Sequence, residues 1–167
     1  MLVGIISDTH DNVAAVERAV DVFEARDVET VVHCGDVIAP PVVPFFEGLE
    51  VHAVLGNNDG ELDGLESAFR DLGNGSELHG RFAVVSFDGF EVAMLHGEDL
   101  DEVDDLAAGG EYDLVCHGHH HEAEQREVDG TTVLNPGGHF PTIPAEHRSV
   151  AILDTDDGSV EFVNVAE

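Results

Sequence analysis

The stretch Leu2-Val3-Gly4-Ile5-Ile6-Ser7-Asp8-Thr9-His10-Asp11-Asn12 decides how the chain is read. Its apolar start has the length and β-branched content of a buried strand, and the polar run from Asp8 to Asn12 marks where that strand enters a loop. Beyond it, Val13, Val16, Val20 and Phe23 recur at spacings of three, four and three. That spacing predicts one face of a helix, which Asp11 or Asn12 can cap. Thr30 to Cys34 supplies a second strand, broken at Gly35-Asp36. Strand, helix and strand in this order form a βαβ unit with parallel strands.

Further along, Pro40, Pro41 and Pro44 allow only a short helix through Phe45 and Phe46, and Val51 to Leu55 reads as a third strand ending at Gly56-Asn57-Asn58-Asp59. Leu65, Phe69 and Leu72 keep helical spacing over 62–72. Phe82 to Phe87 and Phe90 to Leu95 flank Asp88-Gly89, a strong hairpin signal, and the second of these strands ends at His96-Gly97. An acidic helix over 100–108 leads to a strand, Asp113 to Cys116, that ends at His117-Gly118-His119-His120-His121. Asp129-Gly130 and Asp157-Gly158 signal two further hairpins. With no linker and no repeat, the expectation is one α/β domain over residues 1–167: two packed, mostly mixed β-sheets flanked by helices, parallel early and antiparallel late.

The 167 residues carry 36 acidic side chains against six basic ones, all arginine, for a formal net charge of −30. A content of 43% hydrophobic residues in separate runs argues for a packed core, so the charge belongs on the surface. Such a surface disfavours nucleic acid and anionic membranes, which are bound through Lys and Arg. It fits a salt-rich cytoplasm of the halophile kind, where about 1 M salt shortens the Debye length to roughly 3 Å. No segment has the pattern of a signal peptide or membrane span. Cys34 and Cys116, without CxxC spacing, read as buried small hydrophobes in a reducing compartment.

The chemistry lies at five strand ends, which carry Asp8 and His10, Asp36, Asn57, His96, and His119 with His121. Carboxyl ends of parallel strands form a crevice where residues distant in sequence converge. In extended backbone the two-residue spacing of Asp8 with His10, and of His119 with His121, sends each pair to one side. Seven imidazole, carboxylate and amide ligands exceed one tetrahedral site but suit two ions sharing a bridge, and Asp36 is the candidate bridging carboxylate. A donor set without thiolate fits Mn, Fe, Co, Ni or Zn better than Mg or Ca and does not choose among them; Mn is the favoured candidate.

In their order and spacing, Asp8-x-His10, Gly35-Asp36, Gly56-Asn57-x-Asp59, His96-Gly97 and Gly118-His119-x-His121 resemble the calcineurin-like metallophosphoesterases, specifically the small single-domain phosphodiesterase branch. The resemblance covers nearly the whole chain. It implies a four-layer sandwich with a dinuclear centre, one metal held by Asp8, His10, Asp36 and His121 and the other by Asp36, Asn57, His96 and His119. A water or hydroxide bridging the metals would attack phosphorus, and the substrate would be a small phosphodiester. Many relatives carry a histidine directly after the metal-binding asparagine, as general acid or phosphorane stabiliser. Here that position is Asn58, whose amide can hydrogen-bond a phosphate oxygen but cannot deliver a proton near pH 7. Phosphodiesters with leaving groups of low pKa are therefore the expected better substrates.

The remaining histidines divide into surface or satisfied residues (His52, His79, His147), groups that orient ligands (His33, His117), and His120, which alternation places opposite its neighbours. Asn135-Pro136-Gly137-Gly138 also resembles a family loop, and His139 beyond it could face the substrate. Asp59 reads as a structural carboxylate. Two other functions compete with hydrolysis of small diesters. One is a non-catalytic protein-binding scaffold of the same fold, as in a related retromer subunit; the other is a nuclease. A homo-oligomer is compatible with either outcome.

Overall fold

The computed structural model describes residues 1–166. Strands β1 (Leu2–Ile6), β2 (Thr30–His33), β3 (Glu50–Ala53) and β4 (Glu77–Leu78) pair in parallel in that order. The chain later returns to this sheet as β10 (Ser149–Asp154), antiparallel to β1, and β11 (Ser159–Asn164), antiparallel to β10. The second sheet runs β5-β6-β7-β9-β8, from β5 (Phe82–Phe87), β6 (Phe90–Leu95), β7 (Leu114–Cys116), β8 (Glu124–Val128) and β9 (Thr131–Asn135). Both sheets are mixed.

The expectation of parallel pairing early and antiparallel pairing late needs correction in the second sheet. There β6 and β7 are parallel, and so are β7 and β9. The helix α3 (Leu100–Ala108) accounts for the first pair, since a helical crossover carries the chain back to begin β7 beside the start of β6, and the second arises because β8 takes the sheet edge and its hairpin returns β9 beside β7. The two other α-helices are α1 (Val13–Glu24) and α2 (Leu62–Leu72), while Pro40–Phe46 and Ala145–His147 form 3-10 turns. Among the described residues no helix is long and apolar enough to cross a membrane.

Period-two alternation builds the layers. Val3 and Ile5 of β1, Val32 of β2, and Ala151 and Leu153 of β10 face Val92, Met94, Leu114 and Leu134 of the second sheet, forming the core between sheets. The opposite faces of β1, β2 and β10, with Ile6, Val31, Val150 and Ile152, are covered by Val16, Val20 and Phe23 of α1 and by Leu65 and Phe69 of α2. Helix α3 closes the fourth layer, with Val103 and Ala107 against Ala93, Leu95, Val115 and Val133. Gly4 lets α1 approach, since a Cβ there would strike the Phe23 ring. Asn12 caps α1 by accepting from Ala15 N at 3.2 Å.

Register sets the site. Ile6 lies opposite His33, and His33 opposite Ala53, so β1, β2 and β3 end level. In the facing sheet Met94 lies opposite Cys116. The loops that follow these five strands leave at one edge of the sandwich.

Candidate metal centre

That edge gathers all seven of the expected ligands. Asp8 and Asp36 are buried at 0% and 1% exposure, as is His96 at 1%. Asp8 Oδ1 lies 3.1 Å from His121 Nε2 and 3.7 Å from His10 Nε2. Asp36 Oδ2 lies 3.3 Å from His10 Nε2 and 3.4 Å from His96 Nε2, standing between two imidazoles. The Asn57 side-chain oxygen is 3.0 Å from both His96 Nε2 and His119 Nδ1. Two groups, Asp8 with His10 and His121, and Asp8 with Asp36 and His96, hold donor atoms all within 4.8 Å of one another.

The cause of this convergence is not the extended backbone that residue spacing implied. Asp8, His10, Asp36, His119 and His121 all have positive φ, between 45° and 65°. Left-handed conformations are unfavourable for side chains with a Cβ, at roughly 1–3 kcal/mol each, and persist where surrounding contacts enforce them. Backbone bonds do so here: Asp8 N donates to Gly35 O and His10 N to Asp36 O, each at 3.0 Å, and His119 N donates to Asp8 Oδ2. The β1 and β2 loops therefore form a short ladder beyond their strands. Five of the twelve described non-glycine residues with positive φ are prospective ligands, and these five lie together at one edge of the sandwich.

Hydrogen bonds leave the donor atoms pointing inward. Asp8 Oδ2 accepts from Ser7 Oγ at 2.6 Å and from His119 N at 3.0 Å, so Oδ1 turns to the histidines. His96 Nδ1–H donates to the Cys34 carbonyl at 2.8 Å, which places the lone pair on Nε2. Asp59 accepts from the backbone N–H groups of Asp36, Ile38 and Gly56 at 2.9, 2.7 and 2.7 Å, tying the loops after β2 and β3 together. Burial pushes its pKa up against the pull of those donors.

Asn58 turns toward Asp36. Its backbone N–H donates to Asp36 Oδ1 at 2.9 Å and its Nδ2 to Asp36 Oδ2 at 2.7 Å, because the turn after Asn57 curls back over the aspartate. The amide is engaged by the carboxylate expected to form the bridge.

Burial opposes charge throughout the centre, yet the pairings outweigh it. His10 and His96 hold the Asp36 carboxyl well below the usual range with Asn58, and His10, His121, His96 and Ser7 do the same for Asp8. Burial likewise lowers the His10 pKa, but Asp36 and Asp8 overcome it and lift it to about 9. His96 is raised in the same way, whereas burial lowers the more peripheral His119. His10 Nε2 is buried without a hydrogen-bond partner although it faces two carboxylates. A cation between these groups fits them, since buried charges are stable only when paired or coordinated.

Among the other histidines, His33 is fully buried, receives the Gly35 N–H on Nδ1 and contacts Thr9 Oγ1 through Nε2; burial lowers its pKa to about 3. Its contacts support the loop leading to Asp36, in keeping with an orienting role. His117 donates from Nδ1 to the Gly118 carbonyl and is held by burial at about 4. His120 turns away to the Gly97 carbonyl at 3.1 Å, through loop geometry rather than strand alternation. His139 does not face a substrate: it is 2% exposed, and its backbone N–H donates to Asp8 O. The next residue does reach the centre, with the Phe140 ring 4.6 Å from those of both His10 and His121. Sequence reading missed Phe140 because nothing in the spacing shows which residue of that loop turns inward; its one signal was its place just past Asn135-Pro136-Gly137-Gly138.

Residues 1–158 match the calcineurin-like phosphoesterase superfamily domain. The phosphodiesterase MJ0936 of Methanocaldococcus jannaschii is 37% identical over 161 residues, which cover 93% of this chain and 94% of that protein. The structure of an archaeal phosphodiesterase superposes with a TM-score of 0.89 at 34% identity, covering 98% of this chain and 99% of that one. Vps29 of Entamoeba histolytica, in a structure complexed with Zn2+, shares the fold at a TM-score of 0.62 and 21% identity, over 99% of this chain and 100% of that one. Matched through most of its length in sequence and in architecture, the chain belongs to the calcineurin-like phosphoesterase superfamily.

Proposed function

We propose that the protein is a metal-dependent phosphodiesterase with a two-ion centre. The observation that carries this reading is Asp36 Oδ2, within 3.4 Å of both His10 and His96, a carboxylate shared by two donor sets. Asp8, His10, Asp36 and His121 would hold one divalent ion, and Asp36, Asn57, His96 and His119 the other; Mn is the favoured candidate in a donor mixture that also suits Fe, Co, Ni or Zn. Two such ions, when bound, neutralise phosphate oxygens and lower the pKa of the attacking water. The chain's part is to preset the ligands: the Cys34 carbonyl fixes the His96 tautomer, and Ser7 with the His119 N–H fixes the Asp8 rotamer.

Because residue 58 is an asparagine, bonded to Asp36, and not a histidine, no imidazole stands at that position to protonate a leaving group. Small diesters of acidic alcohols are the substrate class this favours, and the −30 charge disfavours polyanions. The composition further supports a salt-rich cytoplasm as the compartment.

The test is turnover of an activated aryl phosphodiester with Mn in molar salt, by wild type and by Asp36→Asn. The expected result is metal-dependent hydrolysis by the wild type, lost by at least 100-fold in the variant, and faster for leaving groups of lower pKa. Metal-loaded protein that hydrolyses neither diesters nor monoesters yet binds a protein partner tightly would establish the scaffold reading instead.

A further inference from the structure

Behind the metal centre, on the outer face of the first sheet, lies a cavity of about 90 Å³ lined by Asn12, Arg18, His139 and Arg148 with apolar neighbours. We propose that this cavity binds a small monovalent anion, a halide or a carboxylate of formate size.

Its lining is unusual for this chain. Only six arginines stand against 36 acidic residues, yet Arg148 borders this cavity and none of the described residues that line it is acidic. Arg26, Arg70, Arg81 and Arg126 each pair with a carboxylate. Among the described residues Arg148 has no such partner. Its Nε donates to the Ile143 carbonyl at 2.7 Å and its Nη2 to the Pro141 carbonyl at 2.5 Å, bonds that fix the guanidinium without neutralising it.

Asn12 and Ala15, at the cap and first turn of α1, also border the space, so the helix adds its partial positive charge there. An independent observation points to an occupant. His139 is 98% buried, and neither ring nitrogen has a hydrogen-bond partner. A neutral imidazole has one N–H to donate, and its burial without an acceptor is unfavourable. A small anion would accept that N–H and offset the Arg148 charge together. The volume admits one halide or short carboxylate together with water.

The test needs neither added metal nor turnover, so its failure would leave the phosphodiesterase reading untouched. Crystals grown in potassium bromide should show an anomalous peak in the cavity. In solution, 35Cl resonance broadening by the wild-type protein in a potassium glutamate background should be reversed by formate or bromide, whereas more glutamate, too large for the cavity, should leave it. Arg148→Gln should weaken chloride binding at least tenfold, and His139→Gln, which leaves both arginine clasps intact, should weaken it as well. Water alone in the cavity, or a bromide peak without formate-reversible broadening, meaning an adventitious ion only, would overturn the proposal.

Discussion

Asn58 donates to both oxygens of Asp36, and that pair of bonds, at 2.9 and 2.7 Å, decides what a substitution there would do. The backbone donor survives any side-chain change, so Asn58→Ala removes one of the two restraints on the carboxylate. Groups that orient a metal ligand typically contribute 10–100-fold in metal affinity. Asn58→Ala should therefore bind Mn about 10-fold more weakly, and Asn58→Asp should be worse, because a second carboxylate would face Asp36. Metal titration of the apo protein by calorimetry checks both, and equal affinities in all three proteins would show that Asp36 needs no such clamp. The residue's chemical limit, an amide without a proton to give, was legible in the sequence. Its direction was not, since the turn that carries it back over Asp36 depends on the loop beside it.

At the scale of elements, the strands and the hairpins were legible because alternation and Asp-Gly turns are local signals, and β1, β2, β3, β6 and β7 all end where the polar motifs begin. The two-residue β4 left no such signal; its Glu77 is exposed and Leu78 only half-buried. The positive φ values that aim five of the ligands were hidden for a different reason: they come from bonds between loops far apart in sequence, such as His10 N to Asp36 O. Glycines make that loop packing possible. A Cβ on Gly118 would overlap the Ser7 hydroxyl and the Asp8 carboxylate, which is itself bonded to Ser7 and to His119 N. Gly118→Ala should consequently destabilise the fold by about 2 kcal/mol or more and abolish tight metal binding. Gly60→Ala, where an added Cβ meets nothing within 4 Å, should change neither by more than about 0.5 kcal/mol. Denaturant unfolding with and without Mn distinguishes the two; a Gly118→Ala protein with wild-type affinity would mean that the Asp8 rotamer tolerates displacement.

For the whole molecule, a net charge of −30 on 167 residues makes self-repulsion a global term that salt must screen. The apo protein's thermal midpoint should rise between 0.1 and 2 M KCl, and an unchanged midpoint in circular dichroism would detach the composition from any need for salt. With potassium glutamate held at 2 M, the buried histidines determine the response to pH. Burial lowers the pKa values of His33, His117 and His139 to about 3, 4 and 4, against an ordinary value near 6.5. Below pH 6.5 the unfolded chain therefore takes up three protons that the folded one refuses. Stability then falls with acid by up to about 4 kcal/mol per pH unit until the folded pKa values are reached. Asp8 and Asp36, whose pKa values are lowered, add their own loss only below about pH 4. His10 acts in the opposite sense: raised to about 9, it contributes stability below pH 6.5 that disappears as pH climbs through 9. The metal-free protein should thus be most stable near pH 6.5 and should unfold in mild acid around pH 5, since native stability is only about 5–15 kcal/mol in total. In the same pH range Mn competes with the proton on His10, so its affinity should fall as pH drops below about 9. Urea midpoints across pH 4.5 to 9.5, with calorimetric proton release on Mn binding, test the two limbs separately. A flat stability profile from pH 7 to 4.5 would mean that the three buried imidazoles accept protons in place, and Mn binding without proton release would mean that His10 is already neutral.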